Sequence, residues 1–243
     1  MTGGPAALRR WAAGLLSAAG IDSAAADAAQ LLAHVLGIDP GRLILVDEVS
    51  AADEAAFRAL IEQRAKRIPL QHLTSRAWFG GVELTVGPGV FIPRPETELI
   101  AAWAIAEIAA REGDSPVRVA DLCSGSGALA LAIAAGAPRA RVIAVERSPE
   151  AFEYLSRNIA AQPATVAERV RAVRADVTDT ATMFPLLDGY PLIVANPPYV
   201  PAASPVSAEV AADPDEAVFS GDTGMDVIEV LAPLIADALT GGA

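Results

Sequence analysis

The spacing of apolar residues changes twice along the chain, and each change marks a different kind of structure. Up to about residue 70 they recur three or four apart, which lines them along one face of a helix. Leu8, Trp11, Leu15 and Leu16 predict a first helix over residues 5–19, with proline acceptable in its first turn and Gly20 as its stop. Leu31, Leu32, Val35 and Leu36 predict a second, which starts after Asp22 or Ser23 and ends at Gly37. Asp39-Pro40-Gly41 signals a turn. Phe57, Leu60 and Ile61 predict a third helix, opened by an approximate capping box of Ser50 and Asp53 and closed by Ile68-Pro69. Over residues 73–92 the period shortens to two. The alternation over residues 79–86, with Gly87-Pro88-Gly89 turning the chain, predicts a β-hairpin.

Beyond Gly113 strand-like and helical stretches alternate. Residues 117–122, 142–145, 170–173 and 192–195 read as strands. Between them run helical stretches that begin at Ala128 and at Ser148-Pro149-Glu150. This βαβαβ order implies a parallel sheet with right-handed crossovers. The expected fold is therefore α/β and Rossmann-like, with a mostly parallel sheet. Three regions follow: a helical domain over 1–72, a β-hairpin linker over 73–93 and an α/β domain over 94–243. Residues 224–239 predict a last helix, with Ile228, Leu231 and Ile235 on one face. Pro233 falls inside it, where a proline can cost about 3 kcal/mol. In a parallel sheet such a helix is a crossover that delivers another strand. Ala243 ends the chain instead, so the C-terminal strands are expected to be missing and the fourth strand to lie at an edge.

Composition narrows the function classes. A length of 243 residues suits one or two domains with a full core. The formal net charge of −12 disfavours a broad nucleic-acid footprint, which needs clustered Lys and Arg. Cys123 is the sole cysteine, so no intrachain disulfide forms, and a reducing, cytoplasmic setting is expected. With only His34 and His72 beside it, no His/Cys zinc site and no metal are expected. Arg9-Arg10 before an apolar run resembles a weak twin-arginine signal, but helical spacing across the pair fits an amphipathic helix better. No apolar run approaches the ~18 residues that span a membrane, so no membrane partner is expected.

Two stretches carry candidate chemistry. The strand over 192–195 runs into Asn196-Pro197-Pro198-Tyr199. The prolines fix φ and supply no backbone donors, and Pro197 keeps Asn196 out of helical geometry. A stiff loop at the end of a buried strand is where open α/β sheets bind ligands. Asn196 Oδ1 and the Pro197 carbonyl are two acceptors beside the Tyr199 ring, a set suited to a planar –NH₂ group. The second stretch is the loop Cys123-Ser124-Gly125-Ser126-Gly127, between a strand and a helix. Its glycines admit a ligand close to the backbone, and helix N-terminal N–H groups favour a carboxylate or phosphate. Glu146, at the end of the next strand, can accept both hydroxyls of a ribose. A dinucleotide fits this pattern, because Gly125-x-Gly127-x-x-Ala130 passes the Rossmann fingerprint. S-adenosylmethionine fits it too, with its amino-acid end on the loop and Asp121, its ribose on Glu146 and its adenine near Asp176 and Val177. The Pro-Pro-Tyr loop favours the second, since hydride transfer has no evident need for a rigid amino-group clamp.

These residues bring a family into view. Asp121-x-Cys123-x-Gly125-x-Gly127 resembles the first motif of class I methyltransferases, and Asn196-Pro197-Pro198-Tyr199 the motif of enzymes that methylate planar amino nitrogens. Ile92-Pro93-Arg94-Pro95-Glu96-Thr97-Glu98, together with the helical N-terminal domain, resembles the HemK/PrmC-type glutamine methyltransferases of peptide chain release factors. The resemblance implies that the side-chain amide of a glutamine in a release factor's Gly-Gly-Gln motif receives the methyl group of S-adenosylmethionine, which leaves as S-adenosylhomocysteine. It implies that Asn196, Pro197 and Tyr199 serve catalysis and, with Pro198, hold the substrate. Asn196 would also border the cofactor. The helical domain would recognise the protein substrate. Two other readings share the fold: a nucleic-acid amino-group methyltransferase, and a cofactor-binding module without activity. Cys123 stands where the family usually has glycine, Glu146 where it usually has Asp, Pro191 where Asp often precedes the strand, and Asp213-Pro214 where Glu-Pro is expected.

Overall fold

The computed structural model describes residues 4–241, which fall into two units. The first comprises the described residues up to Ser75 together with Ser207–Ala212. Helices α1 (Pro5–Ala18), α2 (Ala24–Leu36), α3 (Ala51–Ala65) and the short α4 (Leu70–Thr74) build it. Leu8, Leu16, Leu31, Leu32, Phe57 and Ile61, positions fixed by the helical spacing, are its buried centre. Gly37 stops α2 in the left-handed conformation at φ 63°. Ser50 caps α3 by accepting from the Asp53 N–H at 3.1 Å, and its hydroxyl donates to the Asp53 carboxylate. The inclusion of Ser207–Ala212 has no signature in the pattern. Glu209 of that segment accepts from Arg64 and Arg67, while Arg64 also pairs with buried Asp27 at 2.7 Å.

The second unit spans Arg76–Val206 and the described residues from Asp213 onward. It opens with the hairpin β1 (Arg76–Phe79) and β2 (Val82–Thr85). The turn is Gly80-Gly81, with φ of 54° and 80°, rather than Gly87-Pro88-Gly89. A two-residue hairpin turn of this hand needs positive φ at both central positions. Gly80 is required twice over, because a Cβ there would lie 2.6 Å from Ala132 Cβ.

Then follow α5 (Glu98–Ala110), β3 (Val117–Leu122), α6 (Ala128–Gly136), β4 (Ala140–Glu146), α7 (Pro149–Ala161), α8 (Ala164–Ala167) and β5 (Val170–Arg174). The chain continues through α9 (Thr180–Leu187), β6 (Leu192–Ala195), α10 (Asp215–Val218) and α11 (Asp226–Thr240). The four long-range strands are all parallel, in the order β5-β4-β3-β6. This is a Rossmann-like α/β architecture, with the direction of strand addition reversing at β3. Alternate residues go to opposite faces. Val119, Val142 and Val194 pack with α5, α6 and α7, whereas Ala120, Leu122, Ile143 and Val145 pack with Met183 and Leu187 of α9 and Leu231 and Leu234 of α11. Helix α11 runs on through Pro233, its buried face outweighing the missing donor. Among the described residues β6 pairs only with β3 and is a sheet edge, as the pattern predicts. No helix among them is long and apolar enough to cross a membrane.

Candidate active site

Register brings the chemistry together. Leu122 of β3 is paired with Val145 of β4 on one side and Ala195 of β6 on the other. Strands β3 and β6 therefore end level and β4 one residue later, which puts Cys123, Glu146 and Asn196 along one carboxyl edge. Their loops wall a cleft of about 950 Å³ of empty space, part of it open to solvent.

The loop after β3 is a tight turn held by its own backbone. Gly127 N donates to the Ser124 carbonyl at 2.8 Å, and Ser124 N to the Val145 carbonyl at 3.0 Å. Gly125 lines the cleft at φ 54°, and a Cβ there would meet only open space, so the backbone itself is the surface a ligand touches. Gly127, at φ 86°, caps α6 where a Cβ would lie 2.7 Å from Leu155 Cδ1. Cys123 adopts φ 61°, a left-handed conformation that costs an L-residue about 1–2 kcal/mol. This gives a physical reason for glycine to be usual at that point. Burial, together with the charges of Glu146 and Asp121, pushes the Cys123 thiol up to about 12, so it stays protonated at neutral pH.

Glu146, 8% exposed, is aimed by two backbone donors. Its Oε2 accepts from Gly125 N and its Oε1 from Ser148 N, each at 2.8 Å. Each oxygen retains a further acceptor site. Asp176 at the end of β5 accepts from Thr178 N and Thr178 Oγ, which hold its carboxyl below the usual range. Arg147 lies between Asp176 at 3.7 Å and Glu216 at 3.5 Å. Among the described residues of the lining, Arg147 is the only Lys or Arg, against Glu146, Asp176 and Glu216. That balance suits a ligand carrying positive charge and disfavours a pyrophosphate. The glycine surface, the oriented carboxylate and this charge together fit S-adenosylmethionine.

Asp121 is fully buried under the loop. Its Oδ2 accepts from Ala130 N in the first turn of α6 at 3.1 Å, and its Oδ1 has no hydrogen-bond partner among the described residues. Burial raises its carboxyl to about 7 against the bond from Ala130, with the Glu146 charge adding to the rise. Above about pH 4 the unfolded chain releases this proton while the folded chain keeps it. The stabilisation is thus complete below about pH 4 and is lost as pH rises to about 7. The expected result is a urea midpoint that includes a fall across this window in wild type, and a difference curve against Asp121→Asn that shows the same fall. A flat difference curve would remove Asp121 as its source.

Asn196 and Pro198 line the cleft. Among the described residues the Asn196 side chain has no protein partner, so its carbonyl and amide are free for a ligand. Beyond Tyr199 the loop is pinned as an extended strand: Val200 N donates to the Val218 carbonyl at 3.0 Å, and Ser220 N to the Val200 carbonyl at 2.9 Å. Gly224 packs so closely that a Cβ would lie 2.3 Å from the Tyr199 carbonyl oxygen.

Cys123, Ser124, Gly125, Ser126, Glu146, Asp176, Val177, Asn196 and Pro198 thus share one cleft. Asp121 and Gly127 lie behind the loop, and Pro197 is outside the lining. Tyr199 is also outside it, with its side chain 62% exposed. Sequence reasoning did not single out Phe79, Arg147, Thr178 or Glu216, which also line the cleft, as do Phe91 and Thr97 of the proline-flanked segment. The proline-flanked charges over residues 93–98 were the available signal for Thr97. The segment before them is anchored by Asp213, which is buried, accepts from Ile92 N at 3.0 Å and pairs with Arg94. The Asp-Pro where Glu-Pro is expected therefore keeps a carboxylate in use.

The family model described as the PrmC N-terminal domain matches residues 7–74, and that of the TRM5/TYW2 methyltransferase domain residues 104–186. Among solved structures, a SAM-dependent methyltransferase from Agrobacterium tumefaciens is similar with a TM-score of 0.46, at 19% identity over 69% of this chain and 49% of its own. The release factor glutamine methyltransferase of Mycolicibacterium smegmatis is 48% identical over 229 residues, 93% of this chain and 78% of that protein. Its counterpart in Corynebacterium glutamicum is 43% identical over 236 residues, 96% of this chain and 81% of that protein. That of Streptomyces coelicolor is 42% identical over 222 residues, 89% and 74% respectively. With likeness of this extent across both units, the chain belongs to the release factor glutamine methyltransferase family.

Proposed function

We propose that this chain methylates the side-chain amide nitrogen of a glutamine in peptide chain release factors, with S-adenosylmethionine as methyl donor. The observation that carries the reading is the register of β3, β4 and β6, which aligns Leu122, Val145 and Ala195 and so sets a free Asn196 amide in one cleft with the glycine loop and Glu146. S-adenosylmethionine, when bound, supplies an electrophilic methyl group on sulfonium. Gly125 and its neighbours would receive the amino-acid end, Glu146 the ribose hydroxyls, and the turn at Asp176 and Val177 the adenine.

An amide nitrogen is a poor nucleophile because its lone pair is delocalised into the carbonyl. Asn196 Oδ1 and the Pro197 carbonyl would accept its two N–H bonds and hold the nitrogen toward the methyl group. Orientation of this sort can supply up to about 7–11 kcal/mol of barrier reduction, and the same acceptors stabilise positive charge that develops on nitrogen. Tyr199, which is exposed, would pack on the amide plane as the substrate arrives. Proton loss to water completes the transfer. The helical unit would supply recognition of the whole release factor.

One assay tests the reading. The protein is incubated with methyl-labelled S-adenosylmethionine and, in parallel, with a release factor, with DNA, with RNA and with no acceptor. Label is expected in the release factor, on the glutamine of its Gly-Gly-Gln motif. Label in nucleic acid would favour the amino-group methyltransferase of bases. Binding without transfer to any acceptor would favour a module that only holds the cofactor.

A further inference from the structure

Asn158 lies on α7, one turn beyond Leu155, and its side chain is 1% exposed although it is polar. All of its main bonding capacity is used. Oδ1 accepts from Thr85 N at 2.7 Å, while Nδ2 donates to the Thr85 carbonyl at 3.0 Å and to the Ser126 carbonyl at 2.9 Å. The two carbonyls and one N–H around it fix which way the amide faces. Thr85 is the last residue of β2, and Ser126 sits in the loop between Gly125 and Gly127. One buried side chain thus joins the glycine loop, the hairpin and α7. Its neighbour Leu155 fills the space that a Cβ at Gly127 would need. The inner side of the loop therefore rests on a single face of α7, apolar at Leu155 and hydrogen-bonded at Asn158.

We propose that Asn158 is a positioning residue for methyl transfer: by donating to the Ser126 carbonyl while bound to Thr85, it holds the glycine loop in its ligand-ready shape and makes that shape depend on the seating of strand β2. Asn158 does not line the cleft, so its effect on the cofactor passes through Ser126. Without the donor, a buried carbonyl of the loop loses its partner, and the loop must shift to find another. The inference rests on the cofactor reading above.

The test separates positioning from simple stabilisation. Asn158→Asp keeps an acceptor for Thr85 N and, when ionised, turns a carboxylate toward two carbonyls. When protonated it regains one donor. Affinity for S-adenosylhomocysteine is measured by calorimetry on the full chain between about pH 5.5 and pH 8.5, each value divided by that of wild type. At the alkaline end Asn158→Asp should bind at least about ten-fold more weakly, and most of the loss should disappear at the acid end. Asn158→Ala should be weakened by the same factor throughout. Wild-type affinity in both variants, or a loss in Asn158→Asp that ignores pH, overturns the proposal. If neither variant folds, amide exchange in wild type decides: S-adenosylhomocysteine should slow exchange at the Thr85 N–H at least several-fold, and an unchanged rate there overturns it. Failure of wild type to bind S-adenosylhomocysteine would instead overturn the cofactor reading itself.

Discussion

Replacing Asn196 with alanine should lower turnover by about 10²–10³-fold while leaving S-adenosylhomocysteine affinity and the melting temperature close to wild type. The split follows from where the side chain sits. Asn196 lines the cleft and has no protein partner among the described residues, so its removal strands no donor or acceptor in the fold. The loop keeps its course because Val200, Val218 and Ser220 pair backbone to backbone and Gly224 abuts Tyr199. On the proposed reading, what the variant would lose is one of two acceptors for the glutamine N–H bonds, at the point where nitrogen becomes positive. Steady-state kinetics on a whole release factor, alongside calorimetry with the product cofactor, would read both quantities. Parallel losses in turnover and cofactor affinity would assign Asn196 to the cofactor and leave the amide without its proposed clamp.

Glu146→Ala should behave in the opposite way, weakening S-adenosylmethionine by about 100-fold and also lowering stability. Its carboxylate is committed twice over. It is proposed to accept the ribose hydroxyls, and it already accepts from Gly125 N and Ser148 N. Charged hydrogen bonds contribute about 1.5–3 kcal/mol, so the loss of one or two to the ribose reaches that factor. The two backbone donors left behind cost about 1–3 kcal/mol each where water does not replace the carboxylate. For a chain of this size each kcal/mol is about 2–4 °C of melting temperature. Calorimetry and thermal melts on the same sample separate the two effects. A lower melting temperature with unchanged affinity would show that Glu146 only braces the loop.

The sheet and the loops of the candidate site were legible because short apolar runs and glycine placement act locally. Runs such as Val119–Ala120 and Ile143–Ala144, buried on both faces, read directly as parallel strands, and the residues that follow them had to emerge at one edge. The hairpin turn was misplaced because Gly80-Gly81 and Gly87-Pro88-Gly89 are equally good local signals. What chooses between them is the approach of Gly80 to Ala132, which is not local. The roles of Asn158 and Asp213 were also out of reach. A buried polar residue shows no periodicity of its own, and its meaning lies in partners that, for these two, stand 32, 73 and 121 residues away.

The backbone pairing that stiffens the acceptor loop bears on how the enzyme is made. Strands β3, β4, β5 and β6 and the glycine loop are complete once synthesis has passed Ala195. The braces of the acceptor loop come later, with Val218, Ser220 and Gly224, and Asp213 then secures Ile92 from 121 positions downstream. Contacts between distant parts of a chain are slow to close, and N-terminal structure forms first as the chain leaves the ribosome. The cleft is therefore built in sequence: the strands and the glycine loop come first, and Pro214, Glu216, Ala217 and Val227 of its wall arrive together with the braces of the loop after β6.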